Sequence, residues 1–512
     1  ISSSLSTFSR YFLVYFRASI SVAFLNHFGI SATLLIPQPS GACYNKTVFG
    51  PVPLPLQPAA PIIRKGSKCF MKSKGRISED KFNSKWGFII SCIGSSVGMA
   101  NIWLFPYRAG EFGGAAFLIP YIIFVILIGF SGVIGEMAFG RAMQSGPLGA
   151  FKKAFEMKKH PRLGSFIGLI PVIGSLGIAI GYSVIIGWIL KFLADSIIGS
   201  IINTEDPAAV FADLSREFGS IPWHLLGLVL VLIFMSFGIS RGIENMNKVM
   251  MPAFFVLFLF LAVRVAFLDG SAAGYSYLFK PDWTAMADPK TWVYAMGQAF
   301  FSLSIAGNGT VVYGSYLKSD VDVVSSAKYV AIFDTLAAIL AGLVIIPAVF
   351  AYGAEPNSGP GLLFITIPAV IRSIPFGQVF AILFFLAVFF AGVTSLINLL
   401  ESPVEALQKR LGWSRRAAIA AVGAVTAAAG IFVEGRLLSP WMDNISIYVI
   451  PLGALLAGIT MFWVCGSTFA RNAVQLGRNR TLGKWFEPMT KYVFCGVAVL
   501  VYILGIFFGG IG

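Results

Sequence analysis

The stretch "FFSLSIAGNGT", residues 300–310, lies inside an apolar segment long enough to cross a bilayer, yet its middle reads Ala-Gly-Asn-Gly. Glycines weaken a helix interior, and an asparagine amide in hydrocarbon is costly unless something bonds to it. A second interruption, "GSSVGMAN" at 94–101, sits in an earlier apolar segment, with Asn101 near mid-membrane. Counting apolar windows of about 20 residues, the length that spans roughly 30 Å of hydrocarbon, predicts eleven spans. They lie near 87–107, 114–138, 166–199, 222–240, 247–268, 291–317, 327–353, 376–402, 417–433, 445–468 and 489–511. The interruptions fall in the first and the sixth, an offset of five. Five is odd, so the second set of five helices enters the membrane from the opposite side, the pattern of an inverted-repeat transporter with discontinuous helices meeting at the midplane.

Backbone accounting gives the interruptions a function. An unpaired N–H or C=O in hydrocarbon costs several kcal/mol, so unwound backbone persists only where something satisfies it. Half-helix N-termini can hold a carboxylate, and freed carbonyls can coordinate Na⁺. The alternative is that the glycines only allow close helix packing. The expected fold is therefore an all-α membrane protein of inverted five-helix repeats, 86–268 and 291–468, with broken first and sixth helices and an eleventh helix at 489–511.

Composition agrees with a chain dissolved in lipid: 57% of residues are hydrophobic and 12% charged, against roughly 25% charged in a soluble domain. The net charge of +15 does not point to nucleic acid, because the basic residues are spread between spans without interleaved aromatics. Their distribution sets orientation instead. Arg141, Lys152, Lys153, Lys158, Lys159 and Arg162 follow the second span, whereas the loop after the third has Arg216 against Glu205, Asp206, Asp213 and Glu217. Lys409, Arg410, Arg415 and Arg416, and then Arg471, Arg478, Arg480 and Lys484, repeat the phase. The positive-inside rule then expects a cell (inner) membrane protein with its N-terminus cytoplasmic and its C-terminus outside. Five scattered cysteines and three histidines, His27, His160 and His224, show no disulfide or metal-ligand spacing. Residues 1–75 differ: the apolar run "YFLVYFRASISVAFL" and the proline-rich "GPVPLPLQPAAP" read as an extra membrane-associated helix, a signal peptide, or an atypical upstream extension not native to the functional chain. The last is preferred, because Met71 opens a basic leader, "MKSKGRISEDKF", of the kind that precedes a first span.

Five stretches in order, "GSSVGMANIWLFPYRAGEFGGAAFLIPY" (94–121), "GEMAFGRAMQSGP" (135–147), "GYSVIIGW" (181–188), "GQAFFSLSIAGNGTVVYGSYL" (297–317) and "AGVTSLINLLESP" (391–403), resemble the neurotransmitter:sodium symporter family in its bacterial amino-acid branch. The resemblance covers about residues 84–511 and implies two sodium sites. One would use Ser96 through its carbonyl, Asn101, Ser302 and Asp334, together with the carboxylate of the bound amino acid. The other would use the carbonyls of Gly94, Val97 and Ala391 with the hydroxyls of Thr394 and Ser395, an all-oxygen shell suited to a hard cation. The substrate pocket it implies consists of Tyr182 and the Met99 and Ala100 amides around the carboxylate, and of Phe301, Ser304, Gly307, Ser395 and Leu399 around the side chain, with Ser96 and Ser302 adjoining.

Other readings of the same residues stand beside these. Thr394 and Ser395 can bond back to carbonyls of their own helix, and Asp334 can pair with Lys328. Many family members carry Arg where this chain has Leu104, facing an acid on the tenth helix for which Asp443 is the nearest candidate. An acid is also common where this chain has Lys409. Ala338 brings neither an acid nor a hydroxyl to the neighbourhood of Asp334, so no chloride requirement is expected. Sodium-coupled import of large hydrophobic or aromatic amino acids is the function expected, with sodium ions, the amino acid and lipid as partners. A channel and a non-transporting amino-acid-binding protein are the alternatives. An enzyme is not expected, since no Ser-His, Cys-His or paired-carboxylate arrangement falls at membrane depth.

Overall fold

In hydrocarbon a chain must satisfy its backbone internally, and a helix does so within one segment. In the computed structural model, which describes residues 81–305, 309–353, 361–373 and 375–509, every element among the described residues is a helix. The extension expected over 1–75 lies outside the described residues.

Among the described residues, eight helices are long and apolar enough to cross a membrane: Ala115–Met143, Pro161–Ile198, Ile239–Ala266, Val323–Ala351, Gly377–Leu411, Arg415–Val433, Gly435–Val464 and Phe486–Phe508. A ninth is formed by Lys85–Ser96 and Ala100–Glu111, which meet at a bend of 51°. The shorter apolar helix Ile221–Ser236 occupies the fourth position. The sixth is divided into Pro289–Ser302 and Gly309–Ser315. The chain is thus an all-α membrane protein of inverted repeats, broken in its first and sixth helices, with about eleven spans among the described residues.

Of the boundaries that differ from expectation, three have a visible reason. The fourth span ends at Ser236 rather than 240, because Gly238 turns the chain at φ 90°, a backbone conformation open mainly to glycine. The fifth span consequently starts at Ile239. The eighth runs to Leu411, nine residues past the predicted 402, although it then carries Glu401, Glu405 and Lys409. Its carboxylates have partners from distant segments. Glu401, buried, takes Arg415 on both oxygens at 2.7 and 2.8 Å and the Tyr316 hydroxyl at 2.8 Å. Glu405 takes the Gly146 N–H at 2.9 Å and the Ser145 hydroxyl at 3.0 Å.

Side chains such as Ile126, Val256, Phe260 and Phe507 are exposed and form the lipid-facing surface, while glycines allow backbones to meet inside. A methyl group on Gly140 would overlap the Val311 carbonyl, and one on Gly314 would lie 2.5 Å from the Met137 carbonyl. The second span and the second half of the sixth therefore cross through reciprocal glycines.

Candidate functional site

The first break is built from what the interrupted helix leaves unpaired. Val97 makes the last regular bond, N–H to the Ile93 carbonyl at 2.7 Å, and then turns extended at φ −70°, ψ 105°. The two N–H groups that follow find side chains. Gly98 N–H donates to Asn101 Oδ1 at 3.2 Å, and Met99 N–H donates to the Tyr182 hydroxyl at 3.0 Å. Gly98 lies between Tyr182 and Ser395: an added Cβ would stand 2.8 Å from each of their hydroxyl oxygens. The helix resumes as a π segment, Ala100–Leu104, a form that recurs at functional sites. The Met99 amide, expected to point at a substrate carboxylate, is thus engaged by Tyr182. That hydroxyl, having accepted one bond, keeps its own proton to donate.

The second break mirrors the first. Pro289–Ser302 ends in a turn where Ser304 takes a left-handed φ of 53°, unusual for a residue with a Cβ. Its hydroxyl donates to the Ser95 carbonyl at 2.8 Å, which ties the two breaks together. Ala306, Gly307 and Asn308 lie outside the described residues, so the position expected for Gly307 is not described. The helix resumes at Gly309, whose carbonyl accepts from Asn398 Nδ2 at 3.4 Å. Gln298 Nε2 donates to the Ala100 carbonyl at 2.7 Å, binding the Pro289–Ser302 half of the sixth helix to the Ala100–Glu111 half of the first.

Asp334 is fully buried. Asn101 Nδ2 donates to its Oδ1 at 2.9 Å and its carbonyl at 3.0 Å, and the Ser302 hydroxyl donates to Oδ2 at 2.6 Å. Asn101 Nδ2 also reaches Ser302 Oγ at 3.1 Å. The pair with Lys328 is therefore not what holds this carboxylate. Asn101, Ser302 and Asp334 converge from the first, sixth and seventh spans. Each carboxylate oxygen retains lone pairs beyond these bonds.

On the eighth span Thr394 is fully buried and its hydroxyl bonds back to the Phe390 and Ala391 carbonyls at 3.1 and 3.0 Å. The back-bond uses its proton and leaves oxygen lone pairs. Gly94 and Val97 belong to the first-span half that packs on this helix.

Ser95, Ser96, Gly98, Met99, Ala100, Ile178, Tyr182, Phe301, Ser304, Ser395, Asn398, Leu399 and Ile450 line a cavity of about 40 Å³. Eight of the expected pocket residues are among them, and Ser302 faces Asp334 instead. Ser95, Gly98, Asn398, Ile178 and Ile450 were not foreseen. Asn398 had a signal, since it follows Thr394 by one turn on the same face. At the far end of the π segment, Leu104 brings no charge. Arg108, one turn further, pairs with Glu111 at 2.6 Å and lies 4.3 Å above the Tyr294 ring.

The family described as "Sodium:neurotransmitter symporter family" matches residues 79–205 and 209–508. The chain belongs to the sodium:neurotransmitter symporter family. An uncharacterised sodium-dependent transporter, YhdH, of Bacillus subtilis is 32% identical over 438 residues, 82% of this chain and 95% of that protein. An uncharacterised sodium-dependent transporter of Methanocaldococcus jannaschii is 30% identical over 444 residues, 81% of this chain and 88% of that one. A crystal structure of MhsT in complex with L-phenylalanine superimposes with a TM-score of 0.76 at 32% identity, over 84% of this chain and 100% of that chain. This symporter-family chain is accordingly a multi-pass membrane transporter that uses sodium, and it is not an enzyme.

Tyr182→Phe tests the first break. Losing the partner of a buried N–H costs about 1–3 kcal/mol, so substrate affinity is expected to fall about 5- to 150-fold. Equilibrium binding to the purified, folded variant measures it. Native affinity would remove Tyr182 from the site.

Proposed function

We propose that the chain carries an amino acid, large and apolar, inward across the cell membrane by alternating access, coupled to two sodium ions and without a chloride requirement. The observation that carries this reading is the polarity of the pocket. Its lining combines the Tyr182 hydroxyl, Gly98 and the opened backbone of Ser96–Ala100 with the apolar Ile178, Phe301, Leu399 and Ile450. A carboxylate suits the first group, where the Tyr182 hydroxyl proton is available. An apolar side chain suits the second, with roughly 1.5–3 kcal/mol from its burial. MhsT, 32% identical, was crystallised with L-phenylalanine, which supports the substrate class.

In this reading sodium site one is formed by the Ser96 carbonyl, Asn101, Ser302 and Asp334, and site two by Gly94, Val97, Ala391, Thr394 and Ser395. Met99, Ala100, Tyr182, Phe301, Ser304, Gly307, Ser395 and Leu399 surround the substrate. The repeats are 86–268 and 291–468, with the N-terminus cytoplasmic and the C-terminus outside.

Equilibrium binding of an amino-acid panel to the purified protein, with sodium replaced by choline, tests the proposal. Leucine, phenylalanine and tryptophan are expected to bind in sodium and not in choline, and glycine weakly. Binding unaffected by sodium would overturn it. Gly307→Phe is expected to shift preference toward small substrates. Equal loss for glycine, leucine and tryptophan would show that Gly307 serves only to let the helix unwind.

A further inference from the structure

The fifth span presents an amide oxygen that no bond in the protein uses. Asn247, in Ile239–Ala266, is fully buried. Its Nδ2 donates to the Ile243 carbonyl at 2.8 Å, which settles the orientation of the amide, because the reverse would set two oxygens face to face. Oδ1 is thereby turned away from its own helix, and no donor reaches it. What it faces is Gly94: a methyl group there would overlap Asn247 Oδ1 and come within 3.2 Å of Met251 Cγ one turn on. The first-span half holding Gly94, the fifth span and the eighth span all pack against one another.

The nearest carboxylate on the same helix, Glu244, is already occupied. It accepts from the Asn83 N–H at 2.6 Å, the Ser84 hydroxyl at 3.1 Å and Lys248 Nζ at 2.7 Å. The unmet oxygen on this stretch is therefore that of Asn247. A buried acceptor without a partner is costly, and such an atom marks the place of a donor or ion absent from the protein itself.

We propose that Asn247 Oδ1 is a sodium ligand supplied by the fifth span, adding a side-chain oxygen to the site formed by Gly94, Val97, Ala391, Thr394 and Ser395. The inference rests on the reading of those five residues as the second sodium site. A neutral amide oxygen is a hard donor suited to Na⁺, and it raises affinity without placing a fixed charge beside an ion that must leave on each cycle. Gly94 is required to lack a side chain because the amide oxygen approaches the first span there.

The test uses the purified full chain and sodium alone, read by equilibrium binding of radioactive sodium, with Asn247→Leu, Asn247→Asp and Thr394→Val. Asn247→Leu keeps the volume and removes the oxygen, so the sodium concentration for half-saturation is expected to rise about fivefold. Asn247→Asp keeps the shape and adds charge, so that concentration is expected to fall by a similar factor. Damage to packing would move both variants in the same direction, which would overturn the proposal. Native sodium affinity in Asn247→Asp would also overturn it, by showing that water meets this oxygen. The aspartate variant, being isosteric, decides the matter even if the leucine variant fails to fold. Thr394→Val separates this inference from its premise: if it weakens sodium binding while both Asn247 variants match the native protein, the inference alone fails, and if it leaves sodium binding native, the second site itself is misplaced.

Discussion

Uptake in proteoliposomes should be lost in Asp334→Asn, in sodium gluconate and sodium chloride alike, whereas the native protein should transport equally well in both. The carboxylate is fully buried, and both its oxygens accept bonds, from Asn101 and Ser302. Two cations at low dielectric require compensating negative charge, and on the proposed reading Asp334 supplies it, with Ala338 offering no acid or hydroxyl nearby. An asparagine there removes the charge and turns an NH₂ group toward existing donors. Removing one partner of a buried charged network costs about 3–5 kcal/mol, so transport should fall on the order of 100-fold or more. Strong chloride dependence in the native protein would sink the assignment, as would full activity of the variant.

The second large effect is expected from Thr394→Val combined with Ser395→Ala. Valine preserves the shape of threonine, and the back-bonds to Phe390 and Ala391 are dispensable to a helix that already bonds its own backbone. If those hydroxyls complete a shell otherwise made of carbonyls, the sodium needed for half-maximal substrate binding should rise on the order of 10-fold or more, at about 1–3 kcal/mol for each lost polar partner. A thermal melt close to the native one would show that the fold is kept. Unchanged sodium dependence would mean that the hydroxyls serve their helix only.

Much of this architecture is local in origin and therefore legible in the chain. A run of about 20 apolar residues needs no distant partner to become a membrane helix, and the spans follow from such runs with their ends displaced. The interruptions at 94–101 and 300–310 are equally local, because glycine and asparagine weaken a helix wherever it is packed. The end of the eighth span was not legible for the opposite reason. Glu401 and Glu405 look like a boundary until Arg415, Tyr316 and the Gly146 amide, brought from elsewhere in the chain, satisfy them.

The same division runs through the site. Asn101, Ser302, Asp334, Tyr182 and Thr394 could be named from ordered motifs and the family they resemble. Which freed backbone group each side chain serves was decided by packing. An amide exposed by a break takes whichever donor or acceptor the neighbouring helices carry to within about 3 Å. Thus Met99 N–H meets Tyr182 rather than open space, Ser304 closes on Ser95, and Asn398 joins the pocket wall. Asn247 shows the limit of sequence most clearly. As one polar residue in "NMNKVMMP" it reads as the start of a span, and only the approach of Gly94, together with the bond that turns its Nδ2 to Ile243, leaves its oxygen buried and unmet. Helix identity is a property of short segments, whereas the satisfaction of a buried polar atom depends on which segments the fold brings into contact.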